Sequence, residues 1–150
     1  MQLAMEAAKQ GIAQGQSPFG AAVVLRGELI CTAHNTVWQQ LDPTAHAEIN
    51  AIRLASKILR TIDFSGATMY TTCEPCPMCL AAIHWARFDR VVYGATISDA
   101  AASGFNELRL SAKDMVSLGG SRLSVEMAGD RAACVELFAL WASDPQRKTY

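Results

Sequence analysis

One histidine and two cysteines constrain this chain more than any other residues. His46-Ala47-Glu48 comes first, and Pro75-Cys76-Pro77-Met78-Cys79 follows well downstream. One neutral imidazole and two thiolates suit a single Zn²⁺ ion and cancel its charge. A fold that uses them must bring two distant segments to one point. Three protein ligands leave the fourth tetrahedral position for water, the pattern of a catalytic rather than a structural site. Glu48 is then a carboxylate beside the ion, free to move protons.

The local sequence says where those segments sit. Pro77 suits the first turn of a helix, so Cys76 and Cys79 stand near the positive end of its dipole, where thiol pKa values fall. Residues 45–59 carry Ala45, Ile49, Ile52, Ile58 and Leu59 in helical register, with Thr44 as the expected N-cap. His46 thus also lies at a helix start. Glu48 is two positions on, which is not same-face spacing, so both reach one site only if it lies off the end of that helix. Two other readings stay open: Cys73 as a fourth ligand closing a structural site, and a redox C-x-x-C. A C-x-x-C or an H-x-E alone is common by chance, whereas their combination is specific.

Around these motifs the chain reads as one domain, 1–150, of α/β class. Helices are expected at 2–14, 45–59, 77–87 and 131–141, and strands at 21–25, 29–33, 67–72, 90–95 and 123–127. Arg26-Gly27-Glu28 reads as a hairpin turn, 99–105 as a short helical or loop segment, and Gly119-Gly120 as a turn. Strands separated by helices imply a mostly parallel sheet covered on both faces, with a hairpin at its start. The chain begins inside a helical pattern, which leaves open whether residues precede Met1.

Composition narrows the partners. The net charge of −1, from 13 basic and 14 acidic side chains, gives no basic excess for gripping a long phosphate backbone. Five cysteines, three of them at 73, 76 and 79, fit a metal site in a reducing compartment better than a disulfide framework. The first residues lack the basic and apolar regions of a secretory leader. No stretch of about 18 apolar residues could span a bilayer. The expectation is a cytoplasmic protein with no membrane partner.

His46-Ala47-Glu48 and Cys73-Glu74-Pro75-Cys76-Pro77-Met78-Cys79 resemble the cytidine and deoxycytidylate deaminase superfamily, whose zinc signature is H-x-E then P-C-x-x-C. Within it the chain is most similar to the small bacterial guanine deaminases. Pro18-Phe19-Gly20, Asp42-Pro43-Thr44-Ala45, Trp85-Ala86-Arg87, Asp99-Ala100-Ala101 and Gly104-Phe105-Asn106-Glu107 extend the likeness over residues 17–107, with an echo at Lys148-Thr149-Tyr150.

The resemblance implies a three-layer α-β-α sandwich with a five-stranded mixed sheet. It implies zinc on His46, Cys76 and Cys79, with Glu48 as the catalytic proton carrier. It also implies a homodimer that exchanges C-terminal segments, so that 141–150 covers the partner's pocket and Tyr150 nears the substrate. The substrate-facing set it implies is Asn35 on a purine edge, Phe19 stacked on the base, Glu107 accepting from guanine N1–H and the 2-amino group, the Glu74 backbone carbonyl accepting from the leaving amine, and Ala47 and Trp85 beside them. Each has a plainer role open to it: a turn cap for Asn35, core packing for Phe19, a solvated face for Glu107, a dimer interface or burial for Trp85. Asn106 competes with Glu107 for contact with the base.

The activity implied is hydrolysis of guanine to xanthine and ammonia. A tRNA adenosine deaminase shares Asp42-Pro43-Thr44-Ala45-His46-Ala47-Glu48, but usually carries a basic C-terminal helix and Val at the position of Pro77. A cytosine or amino-triazine deaminase is a further alternative. A non-catalytic zinc-binding interaction domain is the competitor from another class, and Glu48 argues against it.

Overall fold

The computed structural model describes residues Met1 to Tyr150. The first hairpin forms because Arg26 and Gly27 both adopt positive φ (52° and 86°), the conformation a two-residue loop needs to match strand twist. It joins β1 (Gly20–Leu25) to β2 (Glu28–His34), with Leu25 opposite Glu28. β3 (Ala67–Cys73), β4 (Arg90–Ala95) and β5 (Ser124–Met127) complete a five-stranded sheet in the order β2-β1-β3-β4-β5. β1 is antiparallel to β2 and β3, whereas β3, β4 and β5 run parallel. The sheet is therefore mixed, as expected.

Helices cover both faces. On one, α1 (Gln2–Ala13) buries a stripe of small residues, Ala4, Ala7, Ala8 and Gly11. This lets the helix lie directly on β1, where a Cβ at Gly20 would collide with the Ala4 carbonyl. α7 (Arg131–Ala142) packs beside it on β4, its Cys134 thiol filling the space that a side chain at Gly94 would take. Phe105, Phe138 and Trp141 form the core of this layer. On the opposite face α3 (Ala47–Leu59) buries Ala47, Ala51 and Ala55, four residues apart and so on one side of the helix. α4 (Pro77–Trp85) adds Leu80 and Ile83, which meet Val23, Met69, Val91 and the stacked rings of Phe64 and Phe88. The result is the expected α-β-α sandwich. No helix is long and apolar enough to cross a membrane.

Several boundaries differ from the sequence expectations. α3 starts at Ala47 with His46 as its N-cap, and Thr44 instead bonds Asp42 Oδ1 through its N–H (2.8 Å) and hydroxyl (2.7 Å). α4 ends at Trp85, before Arg87 turns to a φ of 61°. The segment after β4 is α5 (Ile97–Ala102), opened by a capping box between Thr96 and Asp99. Two short helices were not foreseen: α2 (Val37–Gln40) and α6 (Ala112–Leu118).

Candidate metal centre and active site

The site lies where the parallel part of the sheet ends. β3 finishes at Cys73, and the chain turns through Glu74 and Pro75 into α4. The crevice beyond the carboxyl ends of parallel strands is the usual ligand position in open α/β sheets. Cys76 is the N-cap of α4 and Cys79 lies in its first turn, while His46 is the N-cap of α3. Both caps have extended backbones, and neither uses its side chain as a cap. The imidazole and the thiol are thus left to face each other between two helix starts.

His46, Cys76 and Cys79 are the one group whose ligand atoms all lie within 4.8 Å of one another. His46 Nδ1 is 3.7 Å from Cys76 Sγ and 3.5 Å from Cys79 Sγ. A tetrahedral zinc with bonds of about 2.0 Å to nitrogen and about 2.3 Å to sulfur needs an N···S edge of about 3.5 Å. Donor chemistry and spacing both fit Zn²⁺. Cys73 stands outside the group. Its buried thiol is directed to the Thr96 carbonyl at 3.5 Å, so it does not close a fourth corner.

Electrostatics follow from the burial. Cys76 is lowered to about 4, first by its contact with the Cys79 thiol and then by His46. Cys79, fully buried, is pushed well up by desolvation. Glu48, 7% exposed, is raised to about 7, chiefly by burial and secondly by the charge of Cys76. It lies close enough to Cys76 and Cys79 to feel their charge but is not among the three clustered ligands.

A cleft of about 250 Å³ opens beside the group, lined by His46, Cys76, Phe105, Asn106, Glu107 and Tyr150 among others. Burial raises the Glu107 carboxyl, and the Cys76 charge adds to the effect. Asn106 is exposed, and its N–H is given to the Tyr150 carbonyl at 3.4 Å. Asn35 is fully buried. Its Oδ1 accepts from Val37 N–H at 3.1 Å and its Nδ2 donates to the Tyr150 hydroxyl at 2.6 Å. It therefore holds the first N–H of α2 and the hydroxyl of the cleft-lining Tyr150 at once. Ala47, buried at the first position of α3, presents a first-turn N–H that has no acceptor within the helix.

Tyr150 closes the cleft of its own chain. Its ring lies 5.4 Å from His46 and 5.8 Å from Phe105 between centroids. Behind it Trp38 Nε1 donates to the Lys148 carbonyl at 3.2 Å, with the Lys148 ammonium 5.2 Å above the indole.

Two expected substrate contacts are placed elsewhere. Phe19 packs edge-on to Phe105 (4.8 Å) and Phe138 (5.8 Å), in the layer beneath the cleft. Trp85 ends the nine-residue α4, about 13 Å along the axis from its start at 1.5 Å per residue. Its indole is 82% exposed at an apolar groove with Leu80, Met115 and Val116. It therefore does not line the cleft. Glu74 differs in another way: its carboxylate is occupied by two backbone N–H groups, those of Ile97 and Ala112. Sequence reasoning missed that role, and it also missed Asn50. The Asn50 amide donates to the His34 carbonyl (2.9 Å) and the Thr36 hydroxyl (2.7 Å), tying the loop that carries Asn35 to α3. The only sequence signal was a polar residue one turn after His46.

A three-layer sandwich with one imidazole and two thiols between helix starts, and a buried carboxylate beside them, defines a zinc-site α/β protein of the deaminase type. The chain belongs to the cytidine and deoxycytidylate deaminase zinc-binding family, whose sequence model matches residues 1–95. It is 48% identical to guanine deaminase of Bacillus subtilis over 105 residues, 70% of this chain and 65% of that protein. It is 41% identical to the tRNA-specific adenosine deaminase of Aquifex aeolicus over 95 residues, 63% of each. The matched region thus spans just under two thirds of these relatives. The solved guanine deaminase of Nitrosomonas europaea superposes with a TM-score of 0.87 at 31% identity, covering 95% of this chain and 82% of that one.

Proposed function

We propose that this protein hydrolyses the amino group of a free nucleobase, converting guanine and water to xanthine and ammonia. The observation that carries the reading is the buried Glu48 carboxylate beside, but outside, the three-ligand zinc group. Held by His46, Cys76 and Cys79, zinc supplies the Lewis acidity that makes water nucleophilic at neutral pH. Glu48 then carries one proton of the attacking water to a ring nitrogen and the second to the amino group, which leaves as ammonia while the C2 hydroxyl becomes the carbonyl of xanthine. Glu107 accepts from N1–H of guanine, and Asn35 holds the purine edge. The Glu74 carbonyl and Ala47 N–H are the backbone contacts assigned to the leaving amine and the base.

The size of the cleft and its cover favour a free base over a polynucleotide. Tyr150 lines the cleft and the Trp38–Lys148 contact holds the tail beside it. The likeness to tRNA-specific adenosine deaminases supports a second reading, adenosine at an anticodon loop. Ammonia release from guanine, cytosine, ammeline and a tRNA anticodon stem-loop separates the readings. Guanine is expected to dominate, and preference for the stem-loop would overturn the substrate assignment.

We further infer a cytoplasmic homodimer formed through the apolar groove at Trp85. Its subunits exchange residues 141–150, so that Tyr150 meets Asn35 of the other copy in the way it meets its own here.

A further inference from the structure

We propose that Glu74 is a positioning residue that sets the distance between the metal loop and the base-recognition loop, and thereby the affinity for the base. The proposal rests on the nucleobase reading above. Glu74 is 8% exposed, yet no cation pairs with it. Its Oε2 accepts from Ile97 N–H at 3.1 Å, and its Oε1 from Ala112 N–H at 2.8 Å. Its own N–H donates to the Ala95 carbonyl at 2.8 Å.

Ile97 opens α5 and Ala112 opens α6. The first N–H groups of a helix lack intrahelical acceptors and favour negative charge, so a single carboxylate holds both helices by their starts. Between them runs the segment 103–111. Phe105 anchors it under Phe19, Trp141 and Tyr150, and Glu107 faces the metal cleft from it. On the other side of Glu74, Pro75 leads directly into Cys76. One side chain therefore fixes the ends of the recognition loop to the residue two before a zinc ligand.

Only a carboxylate offers two acceptors here. An amide of the same shape turns one oxygen into a donor facing an N–H group, and one helix start comes free. Glu107 then loses its fixed distance from the zinc group while the ligands keep theirs.

The test is the zinc-loaded Glu74→Gln protein, alone and combined with Glu107→Gln. The single variant is expected to hold one equivalent of zinc, to raise KM for guanine about tenfold and to leave kcat within about threefold, because coupled residues show interaction effects of this size. In the Glu107→Gln background the same change should add less than about twofold, since Glu74 acts through Glu107. Equal effects in both backgrounds, or an unchanged KM, would overturn the proposal. Glu74→Asp, whose shorter arm reaches one helix only, serves if the amide variant does not fold. Hydrogen exchange separates this proposal from the activity itself. Even if the wild type leaves guanine untouched, which refutes the substrate reading, Glu74→Gln must lose protection across 103–111 while α4 keeps its own. Unchanged protection there contradicts the positioning role.

Discussion

The Asn35 amide donates to the Tyr150 hydroxyl at 2.6 Å, joining the exit of the first hairpin to the last residue of the chain. The bond ties the buried amide to a residue that lines the cleft. Tyr150→Phe removes the acceptor while keeping the ring. It should cost about 1–3 kcal/mol, the usual penalty for orphaning a buried donor, read as a lowered midpoint in denaturant with an unchanged slope.

The same contact tests segment exchange. A Glu48→Gln chain carries an intact tail, and a chain truncated before residue 147 carries an intact Glu48. Mixed and reannealed, they should regain guanine turnover if Tyr150 covers the partner's cleft. No recovery would mean that each tail serves its own subunit.

Trp85 gives a separate handle on assembly. Trp85→Glu places a charge in the apolar groove with Leu80 and Met115, and should yield a monomer by sedimentation velocity with zinc retained. A dimer that persists would place the interface elsewhere.

The metal assignment predicts a sharp division among cysteines. Cys76→Ala and Cys79→Ala should each lose zinc by elemental analysis, whereas Cys73→Ala should keep one equivalent, because its thiol turns to the Thr96 carbonyl.

Asp99 links stability to pH. Burial raises its carboxyl, but the Thr96 N–H and hydroxyl and Arg131 outweigh this and hold it below the ordinary value. A carboxyl depressed in the fold stabilises above its unfolded pKa of about 3.9, and that contribution is lost as pH falls through the lower folded value. Asp99→Asn should therefore cost about 1 kcal/mol at pH 7, the scale of a lost cap. The difference from wild type should shrink below about pH 4, which thermal melts across pH will show.

What the sequence revealed depended on the range of the interactions. The candidate zinc ligands were legible because Cys76 and Cys79 are fixed by one helix turn, and His46 by the start of another. α1 and α3 announced themselves by apolar spacing, and α4 by Pro77 at its first turn. α2 is four residues long, too short to carry a period. α6 had only its cap to offer, Ser111 accepting from Asp114 N–H. Thr44 looked like the N-cap of α3, but Asp42 drew it into a turn and the cap position passed to His46. The carboxylate role of Glu74 depends on N–H groups 23 and 38 positions away, and no local pattern encodes that meeting. Phe19 and Trp85 are aromatic residues near the motifs in sequence. Which face of the sheet or end of a helix they occupy was decided by packing.

The most direct test is guanine turnover by the Glu48→Gln protein carrying one equivalent of zinc, followed by ammonia release and the ultraviolet change to xanthine. Loss of the proton carrier should lower kcat by about 10³-fold, within the range for general acid–base groups, with zinc content unchanged. Wild-type kcat from that variant would contradict the role given to Glu48, and with it the account of this site.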